Sequence, residues 1–330
     1  MSIELAPPPF GRVMPTVDVD NIKLLPYLSS VNPEAVSRCV VKKVDAVPGF
    51  EGEGFPVNRA FARLSTAETD PFIMMDEMGA VEYAPGEPKG TPWHPHRGFE
   101  TVTYLIDGVF NHHDSHGGGG VIKDGDTQWM TAGSGLLHIE KPPEELVVSG
   151  GLFHGIQLWV NLSSRLKWVA PRYQDIRANK LKLARSQDSG ALIRIIAGNV
   201  DVSLKGPGVT YSPINLFHVT VSPSSRLELN WPSNYNAIAY VLSGTGFAGH
   251  DMVEIFPSQT CLFGQGEVLT ITAKDKQESR SPKLEVLLLG GEPIQEPIAW
   301  YGPFVMNSDS ELKNAFDDYR KGKLGVIPAT

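Results

Sequence analysis

The sequence predicts an all-β chain in which one antiparallel architecture is used twice in tandem, followed by a short C-terminal helix. Three observations carry this expectation. Short β-like runs recur along the chain, and the turns between them are supplied by Gly 33 and Pro 26. The second half is a decayed repeat of the first: Tyr240-Val-Leu-Ser-Gly244 matches Tyr104-Leu-Ile-Asp-Gly108, and Gly264-Gln-Gly266 matches Gly133-Ser-Gly135. One stretch has a helical start signal and helical spacing, with Ser308 and Glu311 ahead of Leu312, Ala315, Phe316 and Tyr319.

The elements follow in order. Residues 1–40 form an extension in which Pro7-Pro8-Pro9, Pro15, Pro26 and Pro33 break any helix; no chemistry is expected of it. From Cys39 the runs CVVKKVDAV, AFARL and PFIMMDEM read as strands. Met74, Met75 and Met78 read as core packing, and Asp76 and Glu77 as solvated or structural groups near the mouth of the first unit. The strand TVTYLI turns at Asp107-Gly108. FNHHDSHGGGGVIKDGD, with His112, His113 and His116, reads as a glycine-rich rim loop whose histidines are solvated. GGLFHGIQLWVNL is a further strand, with His154 read as a hydrogen-bonded core residue and a pocket-lining role as the alternative. LKWVAPRYQDI and the polar KLARSQDSG read as a connector. The expected units are therefore 41–184 and 185–306, with the helix and tail at 307–330.

Composition bounds the function. A chain of 330 residues has room for two compact domains. A net charge of −8 offers no basic stripe for phosphates, so no direct nucleic-acid contact is expected. Cys39 and Cys261 are too few for a disulfide framework and point to a reducing compartment. The N-terminal residues lack a secretory pattern, and no run approaches ~18 apolar residues. The expectation is a soluble protein without membrane contact, cytoplasmic or, in a eukaryote, nuclear.

The chemistry gathers between Thr91 and Glu140. His94 and His96 are two apart, as are His138 and Glu140, and each pair lies on a β-like run. In a strand, residues i and i+2 point to one face, so each pair can present both heads to one side. Three imidazoles and a carboxylate suit a divalent iron, manganese, nickel, copper or zinc ion. Either pair alone is a weak signal; the two together are hard to obtain by accident. The repeat offsets place Asn230 and Pro232 at the positions of His94 and His96, and Leu269 and Ile271 at those of His138 and Glu140. The second unit therefore carries no ligands.

This pattern resembles the cupin signature, and within the cupins it is similar to the pirins. The stretches HPHRGFETVTYL, GDTQWMTAGSGLLHIE, QLWVNL and GEPIQEPIAWYGPFVMN carry the resemblance, which runs from about Val44 to Gly322. It implies a bicupin of two cupin-type antiparallel β-barrels, with His94, His96, His138 and Glu140 as metal ligands. Glu100 occupies the general cupin glutamate position and is the second choice. The resemblance further implies one divalent transition metal, Fe(II) first, and a quercetinase-type flavonol 2,4-dioxygenase acting on a small aromatic substrate with dioxygen. A carboxylate on the ion is well placed to take the substrate's acidic proton if it can loosen its bond, so Glu140 is the expected catalytic base. The competing implication is a non-enzymatic, metal- or redox-gated regulator that binds a transcription or signalling protein.

Overall fold

The computed structural model describes residues 19, 21–201 and 203–327. They form two sheets of seven strands, two of four, and one two-stranded hairpin. The first seven-stranded sheet runs Arg172–Ile176, Thr127–Thr131, Phe99–Asp107, Gly151–Asn161, Phe72–Tyr83, Phe55–Arg59 and Val47–Glu51. Facing it is a four-stranded sheet ordered His94–His96, Leu136–Lys141, Val109–Asp114 and Gly119–Lys123. The second half repeats the plan, its four-stranded sheet running Arg226–Asn230, Val268–Ala273, Gly246–Ala248 and Val253–Ile255. The expected tandem cupin-type fold is present, but its sheets stay separate and face each other as open sandwiches instead of closing into continuous barrels.

Alternation along the strands decides what each face meets. In the first large sheet Val102, Tyr104, Ile156 and Leu158 point outward and pack against Leu216, Tyr240, Leu287 and Leu289 of the second. The repeated tyrosines lie in this seam. A buried hydroxyl left unpaired costs ~1–3 kcal/mol. Tyr104 is satisfied by Nδ1 of His218 at 2.8 Å, and Tyr240 donates to Glu77 at 2.7 Å. His154 completes the group with Nε2 2.9 Å from the other Glu77 oxygen, as its core role required. Glu77 is therefore buried at the seam, not solvated.

Several local readings are corrected. AFARL is a turn, because Phe61 and Ala60 tuck into the core and Ser65 then starts the short helix Thr66–Thr69 with a reciprocal capping box to Glu68. A second short helix, Glu144–Ser149, follows Pro143. FNHHD is the strand Val109–Asp114, not a loop, and His112 is buried on it while His113 and His116 are exposed. The repeat offset is also one residue out on one side. Leu269 pairs with Leu229 as His138 pairs with His94, so Leu229 and Trp231, not Asn230 and Pro232, take the inward positions. Both are buried with Leu269 and Ile271 in the second core.

The two ends of the chain cross over. Val40–Asp45, which the sequence groups with the first unit, pairs with Gln259–Phe263 at the edge of the second large sheet. Conversely, the hairpin Ala299–Tyr301 and Phe304–Met306 and the helix Asp309–Arg320 lie on the first half. The helix starts on Ser308, which accepts from the Glu311 amide, while the Glu311 carboxylate reaches the Asn307 amide. Leu312, Ala315 and Phe316 pack with Phe304, Leu137 and Trp93.

This clasp is pinned at Gly98, just after the histidine pair. Val305 donates to the Arg97 carbonyl, and a side chain on Gly98 (φ +90°) would stand 2.0 Å from the Val305 oxygen. Buried Lys167 donates to the carbonyls of Gly98 and Val305 and to Asn161, each at 2.8–2.9 Å. No described helix is long and apolar enough to cross a membrane.

Candidate metal centre

His94–His96 is an edge strand, hydrogen bonded on one side only, which is where the missing amide of Pro95 is tolerated. Its partner is Leu136–Lys141, and the register sets His138 opposite His94. The two i, i+2 pairs thereby meet across one strand gap. The ligand atoms of His94, His96 and His138 lie within 4.8 Å of one another. Nε2 of His94 and Nε2 of His138 are 2.7 Å apart.

The outer ring nitrogens explain this convergence. A carbonyl can only accept, so Nδ1 of His94 must carry the proton it gives to Pro92 at 2.8 Å, which leaves Nε2 a lone pair facing inward. Nδ1 of His96 does the same toward Pro303 of the C-terminal clasp at 3.3 Å. Burial lowers the pKa of all three rings, furthest for His96 and His138, and keeps them neutral. Three neutral imidazoles aimed at one point are a donor set that fits a divalent cation.

Glu140 shares the face but stands outside this nitrogen cluster. It is buried, and Oε1 accepts from the Thr103 hydroxyl at 3.2 Å. Burial raises its carboxyl to about 7, with Thr103 opposing the shift. Glu100 is placed elsewhere. It lies on the side of its strand that faces the second half and accepts from Thr131 at 2.6 Å, so it does not join the histidines. His112 sits opposite Glu140 in the neighbouring strand, stacked on Tyr173 with ring centroids 5.4 Å apart.

His94, His96 and Glu140 open on a cavity of about 540 Å³. Its walls are largely aromatic and apolar: Phe55, Met74, Trp159, Trp300 and Tyr301. Trp300 and Tyr301 come from the C-terminal hairpin, so residues distant in sequence finish the first half's site. Asp76 also lines this cavity, buried, with Arg59 at 3.8 Å. Burial lifts its carboxyl to about 7, against the pull of Arg59. The sequence reading missed both features, although the alternation Met74, Asp76, Met78 carried the signal for Asp76.

Two family profiles match the chain: Pirin over residues 54–160 and the Pirin C-terminal cupin domain over residues 216–325. The chain belongs to the pirin family. A pirin-like protein of Solanum lycopersicum is 40% identical over 87% of this chain and 93% of its own length. Pirin-like protein 2 of Arabidopsis thaliana is 38% identical over 93% of this chain and 91% of its own. Among solved structures, a quercetin 2,3-dioxygenase from Acinetobacter baumannii superposes with a TM-score of 0.81 at 34% identity, covering 89% of this chain and 100% of that one. The second pirin profile contains the clasp as well as most strands of the second sandwich, so the crossing C-terminal segment falls within the family's domain.

Proposed function

We propose that this pirin is a metal-dependent dioxygenase that opens the ring of a flavonol-type substrate. His94, His96, His138 and Glu140 hold a single divalent ion, Fe(II) first among the candidates. The observation that carries this reading is the opening of His94 and His96 onto a cavity of about 540 Å³ walled by Trp159, Trp300 and Tyr301. A flat aromatic ligand gains from such walls both by burial and by stacking. The structural likeness to a quercetin 2,3-dioxygenase supports the same substrate class. When bound, the ion supplies an electrophilic centre with positions left for exogenous oxygen ligands.

The chain's own residues prepare the remainder. The Pro92 and Pro303 carbonyls fix the tautomers of His94 and His96. The Thr103 hydroxyl steadies Oε1 of Glu140, and the carboxylate accepts the proton of a flavonol's acidic hydroxyl by loosening its own hold on the ion. Trp300 and Tyr301 add aromatic surface to the cavity wall for the substrate to stack on. The regulator reading calls for a flat patch beside the site, and the recessed aromatic cavity favours the enzyme.

The test is anaerobic purification with metal analysis, followed by oxygen uptake on adding a flavonol. Wild type should consume oxygen, and Glu140→Gln with matched metal content should do so about 10²-fold more slowly or worse. Metal-loaded wild type that consumes no oxygen with any flavonol tried would overturn the proposal in favour of the regulator.

A further inference from the structure

The floor of the cavity carries a polar row that runs across the strands. Arg59, Asp76, Gln157 and Thr103 occupy facing positions on four successive strands. At one end Thr103 joins Glu140 and Gln157 through its hydroxyl, with Gln157 at 2.6 Å. At the other end Asp76 is unspent. Its side chain is 2% exposed, and neither carboxylate oxygen has a hydrogen bond among the described residues. Arg59, at 3.8 Å, is beyond hydrogen-bond range and is held by Glu51 and the Phe50 carbonyl.

A buried carboxylate without donors is costly, and its lone pairs take whatever donors enter the cavity. Met74 and Met78, two residues to either side on the same face, have no hydrogens to give. The ligand must therefore bring hydroxyl or amine donors on a flat apolar body. Two oxygens on one carboxyl match two adjacent hydroxyls on a ring. Thr103 and Asp76 are two strand spacings apart, ~10 Å, which is comparable to the span from the oxygen pair of a flavonol to the hydroxyls of its pendant ring.

We infer that Asp76 sets specificity at this site, accepting hydrogen bonds from vicinal phenolic hydroxyls at the end of the substrate remote from the histidines. The substrate class is then a catechol-bearing aromatic in preference to a bare one. The inference rests on the proposed function for the orientation of the ligand, but its binding test does not require turnover.

The test uses the full chain and two probes. Quercetin has a vicinal hydroxyl pair on its pendant ring; galangin has none there. Affinity is read from quenching of tryptophan fluorescence, since Trp159 and Trp300 line the cavity. Wild type should bind quercetin at least about tenfold tighter than galangin, because a site built to bond hydroxyls penalises their loss. In Asp76→Asn this ratio should fall to about twofold or less, and in Asp76→Leu it should invert, with metal content unchanged in both. Equal affinities in wild type, or a ratio the variants leave intact, would overturn the inference whether or not the variants fold well. Discrimination without oxygen uptake would sink the dioxygenase reading and leave Asp76's role standing. Turnover with an unchanged ratio in the variants would do the reverse.

Discussion

Removing an imidazole from a convergent cluster deletes one coordinate bond, whereas removing an exposed one deletes none. His94→Ala and His138→Ala should therefore lose most bound metal, ~10²-fold in affinity or more, while His113→Ala on the outer face should keep it. Equal loss in all three, measured by equilibrium dialysis, would show that the cluster is not the site. Asp76 yields a prediction of a different kind. Its folded pKa, about 7, lies above the ordinary 3.8, so the folded form binds a proton that the unfolded form releases. The associated stability is whole below the lower value and is lost as pH rises to the upper one. In metal-free protein the Tm advantage of Asp76→Asn over wild type should grow from pH 4 to 7 and then level off. A difference constant across that range would mean that the carboxyl is not desolvated. At this scale the histidine pairs were readable because i, i+2 spacing survives in any strand. Asp76 and His112 were not, since a charged pair and a glycine run resemble solvated chain until the opposing sheet is in place.

The element that decides the site's shape is the C-terminal hairpin, and Gly98 tests how it docks. Gly98→Ala adds a methyl against the Val305 carbonyl, whereas Gly54→Ala, at φ +101°, meets nothing within 4 Å among the described residues. Both suffer the positive-φ penalty of ~1 kcal/mol, so the difference between them reports the clasp alone. Gly98→Ala should show a clearly lower urea midpoint than Gly54→Ala, with Trp300 more accessible to a soluble quencher. Identical midpoints would mean the hairpin tolerates displacement. Most strands were legible from alternation and turns. The short helix at Thr66–Thr69 was signalled by Ser65 and Glu68, yet the apolar AFARL before it mimicked a strand. The register slip at Leu229 and Trp231 had a simpler origin: an offset taken from one strand need not hold where the intervening loop differs by a residue.

Across the whole molecule, duplication has left two sandwiches with opposite interiors. The second is filled by Leu229, Trp231, Leu269 and Ile271 at the positions that carry His94, His96, His138 and Glu140 in the first. Metal should bind at one ion per chain, and native mass spectrometry would expose a second. That asymmetry could be read from the repeat. The crossed termini could not, because pairing between Val40–Asp45 and Gln259–Phe263 depends on contacts far apart in sequence.

The clasp has a consequence for how the protein is made. A ribosome exposes the strands bearing all three histidines long before it reaches Pro303, whose carbonyl sets the His96 tautomer, and before Trp300 and Tyr301 can wall the cavity. The cavity is thereby completed only once the segment through Pro303 has been made. A frameshift anywhere between Ile298 and Pro303 would leave every ligand encoded and still be scored, genetically, as loss of the site.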